Sequence, residues 1–165
     1  MTIRRRLVKS GLAAGAAAAV LVLITAPQAS ASSSVKGFSE DPTRFGTLAA
    51  CQNTFTGPVT TDSSRGIVAS INNVTFNFCQ AGTSVTPHAL PWSLSLNDSS
   101  YTIKGFSVNI ATPKGRCQYS GTVNGFMEFP GVYDLRGLLT RQGSGCGGPE
   151  QLNVSNLSEV IGTNG

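Results

Sequence analysis

Apolar and polar positions alternate with a period of two along most of this chain. Trp92, Leu94 and Leu96 are separated by Ser93 and Ser95, and Phe76 and Phe78 by Asn77. A period of two sends successive side chains to opposite faces of a strand. On that basis strands are predicted over residues 51–59, 66–78, 92–96, 101–110, 117–123, 126–129, 132–140 and 152–160. Turn chemistry separates them: Asp62-Ser63-Ser64, Asn97-Asp98-Ser99-Ser100, Pro113-Lys114-Gly115, Pro130-Gly131 and the run from Gly143 to Pro149. Short strands punctuated in this way predict an all-β fold, a single antiparallel β-sandwich or barrel domain.

One pattern recurs within the strands. "INNVTF" (71–76), "IKGFSV" (103–108) and "VNGFME" (123–128) each place an aliphatic residue, two residues ending in Asn or Gly, then an apolar residue. "VSNLSE" (154–159) nearly repeats it. Asn-Gly and Lys-Gly can form two-residue hairpin turns. Alternatively, one extra residue forms a bulge that keeps the apolar face inward, since Ile71 and Val74 would otherwise point to opposite sides. Asn124-Gly125 is read as the hairpin, which divides 117–123 from 126–129. Asn72-Asn73 is read as the bulge, because the strand signal runs on at both sides.

The first 31 residues stand apart. Arg4, Arg5, Arg6 and Lys9 precede an apolar run from Leu12 to Ile24, and Ala29-Ser30-Ala31 follows with small residues at the positions a signal peptidase reads. That is a cleavable secretory signal, 1–31. The run of 13 residues is short of the roughly 20 that a retained spanning helix needs. Arg4-Arg5-Arg6-Leu7-Val8-Lys9 also fits a twin-arginine signal, without its usual preceding Ser or Thr, so the export route stays open. No second apolar span follows, so no membrane association is expected after cleavage.

The formal charge of +4 lies in this segment. The remaining 134 residues carry eight basic and eight acidic side chains. A neutral chain gives no support for nucleic acid as a partner. The polar stretch 32–45, with its Ser run and Asp41-Pro42, is expected to be a flexible arm. Residues 46–165 form the expected β-domain, long enough for one real core.

Cys51, Cys79, Cys117 and Cys146 all follow the signal. Four cysteines in an exported chain read as two disulfides, with three connectivities available. Cys51–Cys79 and Cys117–Cys146 are favoured because each pair brackets one expected hairpin unit. The spacings are long and lack C-x-x-C, so neither a metal site nor a cofactor is expected.

Candidate chemistry is sparse, and no catalytic residue is assigned. His88 is the single histidine, so a Ser–His–Asp triad would have to use it with Asp98 or Asp62. There is no G-x-S-x-G, and Ser144 lies in the turn-like "GSGCGG". Glu128 and Asp134 flank the Pro130-Gly131 turn as a glycosidase pair could, or simply as polar faces of neighbouring strands. The eight Phe are read as core. Trp92 shares the parity of Leu94 and Leu96, which predicts an inward ring. Facing outward with Tyr101, it would instead stack on a sugar. "TPKGRCQ" sets Arg116 beside a half-cystine, the one stretch that resembles a protease-inhibitor loop.

The run "GIVASINNVTFNFCQAGTSVTPHALPWSLSL", then "YTIKGFSVNI" and "GRCQYSGTV", resembles a group of small exported proteins of Streptomyces and related actinobacteria. The resemblance rests on Cys79, Leu90-Pro91-Trp92 and Gly115-Arg116-Cys117, and runs from Cys51 to the end. It implies export, β-structure and an actinobacterial source. The group has no assigned activity, so no catalytic residue carries over.

The expectation is therefore a secreted, extracellular, non-enzymatic β-domain of unassigned role. The leading function is a binding or surface-associated module for polysaccharide or cell wall. A secreted protease inhibitor presenting Arg116 is the alternative, and a secreted hydrolase ranks last.

Overall fold

The computed structural model describes residues 33–64, 66–144 and 146–163. The expected signal, 1–31, lies outside them. The described chain is all β, with eleven strands in sequence order: β1 Ser34–Ser39, β2 Thr43–Phe45, β3 Ala49–Ser63, β4 Gly66–Ile71, β5 Asn73–Asn77, β6 Ser84–Pro87, β7 Trp92–Leu96, β8 Ser100–Thr112, β9 Gly115–Phe129, β10 Val132–Gln142 and β11 Gln151–Thr163.

Antiparallel pairing runs β1-β11-β10-β9-β8-β7-β4-β3, and β1 pairs with β3 to close the circle. Eight strands thus form a barrel, the size at which inward side chains fill the interior. The shorter strands extend it towards one end. There β2 bridges β11 and β3, β5 pairs with β3 beyond β4, and β6 pairs with β8 beyond β7.

The expected flexible arm, 32–45, is overturned. Residues 34–39 are β1, paired on one edge to β11 and on the other to β3. Polar composition misleads here because the strand alternates: Val35 and Phe45 are fully buried, while Lys36 faces out. The domain accordingly begins at β1 rather than at Gly46.

The recurring pattern has two structural outcomes. Val59 and Thr56 of β3 pair with Ala69 and Asn73, so three steps on one side face four on the other. The extra residue at the β4–β5 junction lets both Ile71 and Val74 turn inward, as the bulge at Asn72-Asn73 predicts. In β8 the register shifts between Ile103 and Phe106, across Gly105 at φ +74°. Inward parity thereby passes from Tyr101 and Ile103 to Phe106, Val108 and Ile110.

Asn124-Gly125, expected as a hairpin, is instead the middle of one long strand. Tyr101↔Gly125, Thr102↔Asn124 and Ile103↔Val123 continue in register on one side, and Leu135↔Gly125 and Arg136↔Asn124 on the other. The two expected strands 117–123 and 126–129 are therefore one, β9. β7 falls where expected, and β6 had no sequence signal strong enough to mark it.

Both disulfides form in the favoured pairing, Cys51–Cys79 and Cys117–Cys146. They staple the same end of the barrel. Cys79 lies in the β5–β6 loop, whose Gly82 lies against Pro113 of the β8–β9 turn, and that turn's Gly115 lies against the Cys146 backbone. The segment 146–149 folds over Cys117 and Tyr119. The Tyr119 hydroxyl donates to Pro149 O at 3.0 Å, and the Arg141 guanidinium donates to Gly148 O. Two disulfides suit an oxidising environment.

Candidate functional site

The barrel interior is occupied by side chains. Trp92 (2% exposed) stacks obliquely on Phe106 with ring centroids 4.4 Å apart, and its Nε1 donates to His88 O at 3.1 Å. Tyr101 (1% exposed) meets Tyr133 edge-on at 5.0 Å. The inward reading of Trp92 holds. The stacking platform of Trp92 with Tyr101 is overturned, because both lie inside the barrel, where no sugar ring can reach them. Burial raises the pKa of Tyr101 far above the ordinary tyrosine value, and raises that of Tyr133 less.

A cavity of about 20 Å³ lies beside the rings of Trp92, Tyr101 and Phe106. It has room for about one water molecule. A ligand pocket typically spans about 300–1,000 Å³, so this cavity cannot take an organic ligand.

The outer surface is different. Not all eight Phe are core: Phe126 is 65% exposed, Phe129 62% and Phe78 86%. On β9, inward Val123 and Gly125 leave Phe126 on the outer face by parity. Phe129 stands at the Pro130-Gly131 turn, and Phe78 follows β5 at a positive φ of 51°. Leu138, half exposed, shares the outer face of β10. Phe126 and Leu138 border an open groove of about 950 Å³ that also touches Arg44, Glu128, Asp134 and Arg136.

The candidate carboxylates lie in this groove. Asp134 accepts from Arg136 at 2.6 Å, so it serves an ion pair on its own strand. Glu128 is the extra residue of a bulge, since Met127 and Phe129 face Tyr133 and Val132 in turn. His88 is exposed in the β6–β7 connection, and its backbone N donates to Ser107 O at 2.8 Å.

Arg116 is exposed, but it does not sit on a free loop. It pairs with Ala111 immediately after a tight turn in which Thr112 faces Gly115. A substrate-like inhibitor loop has to offer its backbone to a protease as an extended strand. Here the backbone around Arg116 is already committed to β8 on one edge.

Sequence reasoning missed the exposed Phe126 and Leu138. The signal that could have found them was the unbroken parity of β9 through Asn124-Gly125.

No curated protein and no solved structure is detectably similar to the chain. A family model described as alkane oxidation protein activator PraA/PraB-like matches residues 1–129, more than three quarters of the sequence. The chain belongs to the PraA/PraB-like family.

Proposed function

We propose that this chain is an exported, non-enzymatic binding domain that engages hydrocarbon surfaces through the outside of its barrel. The observation that carries it is the contrast between the two faces of β9 and β10. Inside, the cavity has room for about one water molecule; outside, Phe126 and Leu138 border an open groove, and Phe129 stands exposed at the Pro130-Gly131 turn. Exposed apolar side chains grouped in this way are adsorption sites for apolar matter. The description of the family, an activator of alkane oxidation, supplies the ligand class. An accessory that brings alkane to other proteins needs no catalytic set of its own.

Export is part of the proposal. It rests on the leader at 1–31 and on the two disulfides, and an actinobacterial source rests on the Leu90-Pro91-Trp92 pattern. Polysaccharide loses its main support with Trp92 and Tyr101 in the core, and protease inhibition with the pairing of Arg116.

The test is depletion of the purified chain, residues 32–165, from buffer by hexadecane droplets. The expected result is saturable adsorption, released as folded protein. A Phe126→Ser, Phe129→Ser, Leu138→Ser variant should keep its melting temperature and stay in the buffer. Equal adsorption by that variant, or none by the parent, would reject the proposal. Insoluble polysaccharides run in parallel report the alternative ligand.

A further inference from the structure

The small cavity has a polar wall. It is bordered by Thr43 of β2, Asn53 of β3, Tyr101 of β8, and Asn156 and Ser158 of β11. Thr43 Oγ1 donates to Asn53 Oδ1 at 2.7 Å, and Asn156 Nδ2 donates to the same oxygen at 3.0 Å. Asn156 Nδ2 also donates to Ser158 Oγ at 2.7 Å. This uses both amide protons of Asn156 and loads Asn53 Oδ1 with two donors.

Two buried oxygens of this wall are left over. Tyr101 Oη and Asn156 Oδ1 are shielded from solvent; Asn156 Oδ1 has no partner within the protein, and Tyr101 Oη faces Ser158 without closing a hydrogen bond of normal geometry. Reversing the Asn156 amide does not cure this. It would turn an oxygen towards Asn53 Oδ1, which already accepts from Thr43. Buried polar groups in folded proteins are satisfied by protein or by ordered water.

We infer that this cavity is a binding site for one internal water molecule, which accepts from the Tyr101 hydroxyl and donates to Asn156 Oδ1. The volume of about 20 Å³ exceeds the roughly 10–15 Å³ that a water needs. Its second proton and remaining lone pair have Asn53 and the Ser158 and Thr43 hydroxyls within the same wall. A cation is excluded by chemistry, since no carboxylate borders the cavity and an uncompensated buried charge is costly. Burial keeps Tyr101 protonated, so its hydroxyl retains a proton to donate.

The consequence is a cross-brace. β8 and β11 are not neighbours in the barrel, because β9 and β10 lie between them. The water therefore ties opposite parts of the wall through the lumen. It also links them to β2 through Thr43 and to β3 through Asn53.

A crystal structure of residues 32–165 at a resolution that orders solvent tests this directly. The expected result is one isolated density peak within hydrogen-bonding distance of both Tyr101 Oη and Asn156 Oδ1. An empty cavity would overturn the inference, as would a direct Tyr101–Ser158 hydrogen bond with no peak. In solution, nuclear magnetic resonance should show a long-lived water cross-peak to the Asn156 side-chain amide. Tyr101→Phe should lose both signals, whereas Tyr133→Phe, which leaves the cavity wall intact, should keep them. Because the parent protein gives the decisive readings, a Tyr101→Phe chain that fails to fold does not rescue the inference.

Discussion

The ring of Tyr101 fills the space where Gly125, its cross-strand partner, would carry a side chain. A Cβ on Gly125 would fall 2.7 Å from Tyr101 Cδ1 and nearer still to Cε1. Phe55 lies over Gly37 in the same way, with Cε2 2.8 Å from the Cβ position. In a barrel of eight strands the lumen is narrow, and a large inward ring needs a small residue opposite it. Gly125 is therefore a packing glycine, whereas Gly105, at φ +74° with open space around it, is a backbone glycine.

The two glycines respond differently to substitution. Gly125→Ala should destabilise the barrel by about 1–3 kcal/mol through overpacking, and Gly125→Asn by more. Gly105→Asn should cost less than about 1 kcal/mol, since Asn visits the left-handed region without a large penalty. Urea unfolding followed by Tyr and Trp fluorescence gives both values. Equal costs at the two positions would contradict the assignment of Gly125 as packing.

Residues 34–45 close the barrel. A chain beginning at Gly46 loses β1 and β2, leaving β3 and β11 as free edges and uncovering the pocket of Val35 and Phe45. It should aggregate or show no cooperative thermal transition, whereas a chain beginning at Ser33 should melt like the parent. Differential scanning calorimetry on the two truncations decides.

Each disulfide closes a similar loop, with sequence separations of 28 and 29. On the chain-entropy model, loops of this size are worth about 3–4 kcal/mol each. The Cys117→Ser, Cys146→Ser variant should lose about that much stability. It should also free the 146–149 segment from Tyr119, seen as a rise in amide exchange there. Retention of full protection would show that the Tyr119–Pro149 and Arg141–Gly148 hydrogen bonds suffice.

Alkaline pH should unfold the barrel through Tyr101. Its folded pKa is raised, chiefly by burial, above the ordinary value of 10.0. Between about pH 10 and the folded value the unfolded chain binds fewer protons than the native one, so stability falls as pH rises. Below about pH 10 this contribution is fully present. Tyr119 and Tyr133 are raised in the same direction and add smaller slopes. Urea midpoints from pH 8 to 11.5 should show the decline, and Tyr101→Phe should flatten most of it.

The sequence by itself determined the class of fold and its staples. Period-two alternation at Trp92–Leu96 follows from the geometry of a strand with one wet and one dry face, and needs no knowledge of partners. The spacing of four cysteines among turn-rich segments was enough to favour Cys51–Cys79 and Cys117–Cys146. The bulge at Asn72-Asn73 was also legible, because Ile71 and Val74 cannot both face inward on a regular strand.

What only the tertiary structure decided depends on which strands meet. Asn124-Gly125 carries the same local turn signal as a hairpin, yet it stays extended because the Tyr101 ring on β8 requires Gly125 beneath it. Residues 34–45 look polar in isolation, yet β11 and β3 supply partners for their backbone on both edges. Tyr101 and Phe126 are both aromatic residues on strands, yet one is lumen and one is surface. Their parity depends on the Gly105 bulge in β8 and on β9 running in unbroken register as far as Phe126. Closure turned a candidate sugar platform into core and left Phe126, Phe129 and Leu138 outside, where an apolar partner can reach them.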